Sequence, residues 1–273
     1  MGGEHIMSKP RVVLIFWGSV YPLNLQDAVP AAQAWVKELV GGRYMNGLVE
    51  YGVGRGSLVD PPVIISDHSP PGSADIDQIT DQLIAWIRAG RLQAPSVNET
   101  NLVYMLFPPV TTLLPTTKHS NAAGYHNHGR FHAISSSDDL FFAVINTTEA
   151  SGANPSSGKK LIESVSVRIA HELAEACTDR DGEGFHQPDG HGEICDKPCG
   201  HPHYLYGQEP WQVPVCWSYW HQACIHSDQP VSLATVLRVL AHGKKNRLRS
   251  LGVSDVGLES IASLVRSSTS ASG

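Results

Sequence analysis

Residues 12–17, Val-Val-Leu-Ile-Phe-Trp, form an apolar run whose length no other run of the chain exceeds, and their number constrains the fold more than any other feature. The run is a strand's length, far short of the roughly 20 apolar residues that cross a bilayer, so a membrane span is excluded. It also lacks the polar alternation of a strand with one wet face. An unbroken Val- and Ile-rich run reads instead as a strand covered on both sides, which is the environment of a parallel sheet sandwiched between helices.

The rest of the chain supplies those helices. Asp27 stands before a segment with Ala31, Ala34, Trp35, Leu39 and Val40 on one face, which Gly41 and Gly42 end. A second strand falls near residues 63–65, and Asp75 or Asp77 opens a helix with Ile79, Leu83, Ile84 and Ile87 on one side. Residues 102–107 form a third strand, stopped by Pro108 and Pro109. From 111 to 137 there is no apolar period, which predicts a long loop. Residues 140–145 are a fourth strand, and a helix runs from about 160 to 177. Short strands or an aromatic patch follow at 211–225. Leu233, Val236, Leu237 and Leu240, then Ile261, Leu264 and Val265, mark a pair of helices at the end. The order strand, helix, strand, helix, strand, loop, strand, helix predicts an α/β fold, a mostly parallel sheet with an antiparallel edge strand, plus a small C-terminal helical pair. The fourth strand follows a loop rather than a helix, so it is the expected edge. The division expected is a flexible N-terminus at 1–10, a metal-binding domain at 11–230 and a helical segment at 231–273.

The chain has 273 residues and a formal charge of −6, and no basic stripe follows a phosphate backbone, so nucleic acid is not expected as a partner. The start of the chain shows no secretory signal. Chemistry-bearing residues are unevenly placed: eleven of the 14 His lie between His119 and His226, and all five Cys lie between Cys177 and Cys224. There is no nucleophile elbow and no phosphate-binding loop, and Gly52-Val53-Gly54-Arg55-Gly56 lacks the spacing of a dinucleotide site.

His171-Glu172-Leu173-Ala174-Glu175 lies in the helix before Cys177, and its i, i+4 spacing sets His171 and Glu175 one turn apart on one face. In the H-E-x-x-H pattern of zinc peptidases two such side chains hold the metal and the intervening Glu is the base for its water; here Glu175 stands in place of the second His. Between His171 and Asp196 there are eight acidic residues and one Arg, an imbalance that a bound cation would offset. Asp179, Glu193 and Asp196 are candidates for the third ligand, with Asp196 favoured and Glu193 next. Asp179-x-Asp181-Gly182-x-Gly184 has the look of a partial calcium loop. His126-Asn127-His128 sets two imidazoles on one side of an extended segment, where they suit a metal or an oxyanion.

Taken together, Phe16-Trp17-Gly18, Gly124-Tyr125-His126, Ser166-Val167, the His171–Glu175 motif, Thr178-Asp179, Glu193-Ile194 and Asp196 resemble the EXORDIUM-like, phosphate-induced protein family and, beyond it, the zincin metallopeptidases. The resemblance covers roughly residues 10–226. It implies a secreted, disulfide-containing protein of cell-wall type and a zincin-like domain with an edge strand along the substrate cleft. Cys195-x-x-x-Cys199 with Cys216 and Cys224 is either a structural zinc set or a pair of disulfides; the pairing expected for a glycine-rich loop is Cys199 with Cys224 and Cys195 with Cys216, leaving Cys177 a buried thiol.

Two functions follow as expectations. One is a metal-dependent hydrolase, most simply a zinc peptidase acting on a peptide or cell-wall substrate, with His171, Glu175 and an acid of the 193–196 loop, Asp196 or Glu193, as ligands, Glu172 as base and His126 and His128 assisting. Two carboxylate ligands weaken the Lewis acid, so another divalent cation is an alternative to zinc. The other is a non-catalytic wall- or glycan-binding protein with a structural metal and a Trp-rich face at 211–220.

Overall fold

The computed structural model describes residues 5–67, 70–96, 99–109, 112, 124–130, 139–147, 157–188, 192–197, 199–200, 203–206, 211–219, 221 and 223–226. The expected helical pair at 231–273 lies outside them, as do residues 1–4. Along the chain run β1 (Arg11–Trp17), a one-turn α1 (Val20–Leu23), α2 (Ala28–Gly41), a 3₁₀ helix (Arg43–Tyr51), β2 (Ser57–Ile65), α3 (Ile76–Arg88) and β3 (Leu102–Phe107). They are followed by β4 (Gly124–Arg130), β5 (Asp139–Ile145), α4 (Gly158–Thr178), β6 (His203–Tyr206), β7 (Trp211–Ser218) and β8 (Ala223–His226). Among the described residues no helix is long and apolar enough to cross a membrane.

Five strands form one sheet in the order β2-β1-β3-β5-β4. The first four are parallel, and β4 runs antiparallel to β5 at the edge. The mostly parallel sheet with an antiparallel edge strand is therefore present, but the edge is not the strand expected. β5 is apolar from Leu140 to Ile145 and pairs on both sides, whereas β4 lies inside the stretch that reads as a loop. Its sequence, Gly-Tyr-His-Asn-His-Gly-Arg, has one large apolar residue; among the described residues it pairs along one edge alone, so little of it needs to be hydrophobic.

β1 shows why its apolar run is unbroken. Val12, Leu14 and Phe16 pack with α2, the 3₁₀ helix and α4, while Val13, Ile15 and Trp17 pack with Ile79, Leu83, Trp86 and Ile87 of α3 on the other face. Asp75 starts α3 with a capping box: its Oδ1 accepts from the Gln78 amide at 2.8 Å, and Gln78 Oε1 accepts from the Asp75 amide at 3.0 Å. Asp27 behaves otherwise. It precedes α2 without capping it, and its carboxylate accepts from the amides of Gly158 at 2.7 Å and Lys159 at 3.0 Å, which fastens the N-terminus of α4 to that of α2.

The second sheet is antiparallel, β6-β7-β8, and includes a strand the aromatic pattern alone did not give. It covers the far side of α4, where Trp211 stacks on Trp35 at 5.0 Å and Gln212 donates through its amide to Ser166 Oγ at 3.0 Å. α4 thus lies between two sheets, which is why its buried residues occupy more than one face. The stretch expected to be a flexible N-terminus is ordered from His5 onward. Met7 is fully buried, its amide donates to the Cys177 carbonyl at 2.8 Å, and His5 Nδ1 pairs with Asp181 at 2.9 Å. That apolar anchor outweighs the polar composition around it.

Candidate metal centre

The last two turns of α4 carry the motif. His171 and Glu175 are one turn apart as expected, and His171 Nε2 lies 2.9 Å from Glu175 Oε2. Asp196, from the loop that returns after α4, brings Oδ1 to 3.6 Å from the same Nε2. His171, Glu175 and Asp196 offer three ligand atoms that all lie within 4.8 Å of one another.

A second group shares Glu175. His126 on β4, Glu172 and Glu175 also offer three ligand atoms within 4.8 Å of one another. His126 Nδ1 is 3.7 Å from Glu172 Oε2 and 3.6 Å from Glu193 Oε2, and its Nε2 lies 3.0 Å from the Asp179 carbonyl. The strand backbone sits directly on Glu172: a Cβ at Gly124 would come within 2.7 Å of Glu172 Oε1, so only glycine permits this approach. Glu172 is buried rather than set out on an open cleft wall.

The loop that delivers Glu193 and Asp196 is fixed from several directions. Gln187, buried and without any signal in the sequence, donates through Nε2 to the Glu193 carbonyl at 2.7 Å and the Asp196 carbonyl at 2.8 Å. Gly192 has φ 102°, a left-handed turn that lets the chain double back, and Asp196 Oδ2 accepts from the Glu193 amide at 3.2 Å. The Cys195 amide donates to Glu175 Oε1 at 3.2 Å. Disulfides join Cys195 to Cys216 and Cys199 to Cys224, so these cysteines are not a structural zinc set, and Cys177 is a buried free thiol. Tyr219 Oη donates to the His186 carbonyl on the same loop.

The other candidates go elsewhere. Asp179 Oδ1 accepts from the Gly184 amide at 2.6 Å and its Oδ2 lies 3.0 Å from His186 Nε2, while Asp181 faces His5; the partial calcium loop is committed to these partners. His128 is exposed on β4 and joins neither ligand group, because two residues further along the strand carry it past the end of the cluster. In the aromatic segment Trp211 is spent in the core and Trp217 is half-buried; Trp220 lies outside the described residues.

Four carboxylates crowd two imidazoles in a largely buried setting, and each titration is displaced accordingly. Burial opposes protonation of His171, but Glu175, Glu172 and Asp196 around it push it up to about 10. His126 is likewise pushed up to about 10 by Glu172, Glu193 and Glu175 against the effect of burial. Burial raises Glu172, with His126 partly offsetting it. Burial and the charge of Glu175 push Glu193 up to about 9 and raise Asp196, though His126 and His171 act the other way. Glu175 alone is held low, because His171 against it outweighs burial. Without a cation, the cluster is kept near neutrality by protons.

No protein-family model matches the chain, and no curated protein matches its sequence.

Proposed function

We propose that the chain is a metal-dependent hydrolase, a peptidase of zincin-like arrangement in which His171, Glu175 and Asp196 hold one divalent cation and Glu172 is the general base. The observation that carries this reading is the convergence of those three ligand atoms within 4.8 Å, on a helix turn and a braced loop, with a second carboxylate immediately beside them. The donor set suits a borderline or hard divalent cation, zinc first and manganese or cobalt next, because one imidazole and two carboxylates supply nitrogen and oxygen and no sulfur. Such a cation supplies a Lewis acid for a scissile carbonyl and a water of lowered pKa.

The chain's own groups do the rest. Glu172, whose carboxyl burial holds above the usual carboxylate range, takes a proton at its carboxylate, and His126 steadies that carboxylate from the strand side. Among the described residues β4 pairs with β5 alone, and addition of an extended peptide along its other edge fits a peptide or wall-peptide substrate. Side-chain exposures of 24% at His171 and 46% at Asp196 leave the cation approachable from the loop side. The two disulfides favour an oxidising compartment, in keeping with the secreted, wall-associated family that the chain resembles.

One observation favours the rival, a wall- or glycan-binding protein with a structural metal: Glu172 is only 4% exposed, which suits a buried ligand better than a base meeting substrate. The two separate in one experiment. Metal content and hydrolysis of a peptide library are measured for the parent, His171→Ala and Glu172→Gln. A hydrolase gives lower metal content in His171→Ala, while Glu172→Gln keeps the cation bound through His171 and loses 10² to 10⁴ of turnover, roughly the worth of a positioned base. A metal-loaded parent without turnover would establish the binding protein. Equal metal in His171→Ala and parent would remove the site from α4.

A further inference from the structure

Glu175 belongs to both ligand groups. On one side it meets His171 and Asp196, on the other His126 and Glu172. A carboxylate has about four lone-pair positions, and the Cys195 amide, the His171 contact and a hydrogen bond from Glu193 leave part of them. It can therefore face two cations at once.

His126 supplies an independent observation. Its ring is 8% exposed, and Nε2 donates to the Asp179 carbonyl, a group outside the cluster. That bond engages Nε2 and leaves Nδ1 as the nitrogen able to take a cation, an arrangement common for a metal-bound histidine. Nδ1 faces Glu172 and Glu193. Its 3.7 and 3.6 Å separations from their oxygens exceed a hydrogen bond. They match the spacing of two ligands that share a cation: bonds of about 2.1 Å at a tetrahedral angle set donors about 3.4 Å apart.

We propose that the chain binds a second divalent cation between His126 Nδ1, Glu172 and Glu175, bridged by the Glu175 carboxylate to the cation held by His171 and Asp196. The inference deepens the hydrolase reading and rests on its first site. Two cations sharing one carboxylate sit about 3.5–4 Å apart, close enough to clamp a single oxygen between them. With both in place Glu172 is a ligand in place of the general base of the one-cation reading, and its burial beneath Gly124 is what the second site requires.

The test is stoichiometry with Zn²⁺, and with Mn²⁺ as a spin probe, on the full chain with its disulfides intact. Equilibrium dialysis followed by elemental analysis should give two equivalents in the parent, and one each in His126→Gln and His171→Ala. Circular dichroism identifies any variant that has lost its fold, and the parent alone then decides the matter through its spectrum. Doubly loaded with Mn²⁺, the parent should show the exchange-coupled electron paramagnetic resonance signal of a bridged pair, and each folded variant an isolated ion. One equivalent in the parent, unchanged in His126→Gln but lost in His171→Ala, overturns the second site and leaves the hydrolase reading standing. Two uncoupled ions, both kept in His126→Gln, also overturn it. No bound metal at all removes both.

Discussion

The parallel sheet and the segment from 178 to 226 solve the same problem of order by opposite means. In the sheet, β1, β3 and β5 are almost wholly apolar, and their register is fixed because every residue has a buried neighbour on one face or the other. In the later segment the ligand-bearing loop has little apolar surface of its own. It is held by two disulfides, the Gln187 amide, one left-handed glycine and three short strands. Burying charge is costly unless it is paired, so where the core meets the charged cluster the chain adds cross-links and directed hydrogen bonds to burial.

Substitution in the sheet should have the largest effect and leave the site's chemistry alone. Phe107, fully buried and stacked on Phe16 at 4.9 Å, should cost about 3–5 kcal/mol as Phe107→Ala, read by denaturant unfolding. The folded fraction should bind as much metal as the parent. Loss of metal at equal folded fraction would show that the two regions are one cooperative unit.

The cross-link comes next. Replacing Cys195 and Cys216 together by Ser opens a loop of 21 residues, worth about 3 kcal/mol in chain entropy. Because Cys195 lies between Glu193 and Asp196 and its amide binds Glu175, metal affinity should fall while slow amide exchange in β1 and β3 persists. Exchange rising equally throughout would contradict the division.

The smallest effect is in pH. In the metal-free chain His126 and His171 titrate near 10 against 6.5 when unfolded, so their stabilisation is complete below 6.5 and is lost as pH rises toward 10. Glu193 acts in the same direction: its carboxyl ionises near 9 when folded but near 4.5 when unfolded, which favours the unfolded chain progressively between those values. Glu175, held low, opposes this only below 4.5. The metal-free melting temperature should therefore fall from pH 5 to 9. Zinc, which displaces imidazole protons, should reverse the slope. A flat metal-free profile would mean the cluster is more open to water than its burial suggests.

What could be read from the sequence follows the same division. The apolar strands and the amphipathic helices announce themselves by period, and His171 with Glu175 by helix spacing, since these patterns are local. β4 did not, because an edge strand with one large apolar residue has no period to show, and so the edge was assigned to β5. The 3₁₀ helix at Arg43–Tyr51 was missed as well. His126 and His128 look equivalent two residues apart, but only the register of β4 against α4 decides that the first reaches the cluster. Gln187 and Asp27 each act through a pair of hydrogen bonds to backbone groups outside their own element, which composition cannot reveal.

His5, Ile6 and Met7 are fastened to the C-terminal end of α4: His5 to Asp181, Ile6 through its carbonyl to Arg180, and Met7 to the Cys177 carbonyl. Partners 174 and 176 residues apart cannot meet until the ribosome has made nearly the whole domain, a wait of roughly 10–35 s at ordinary elongation rates. During that interval residues 5–7 have no partner at the end of α4. Closure of the strap waits on Asp181 and completion of the cluster on Asp196, so the cluster can acquire its final shape only on a chain that has already been built past it.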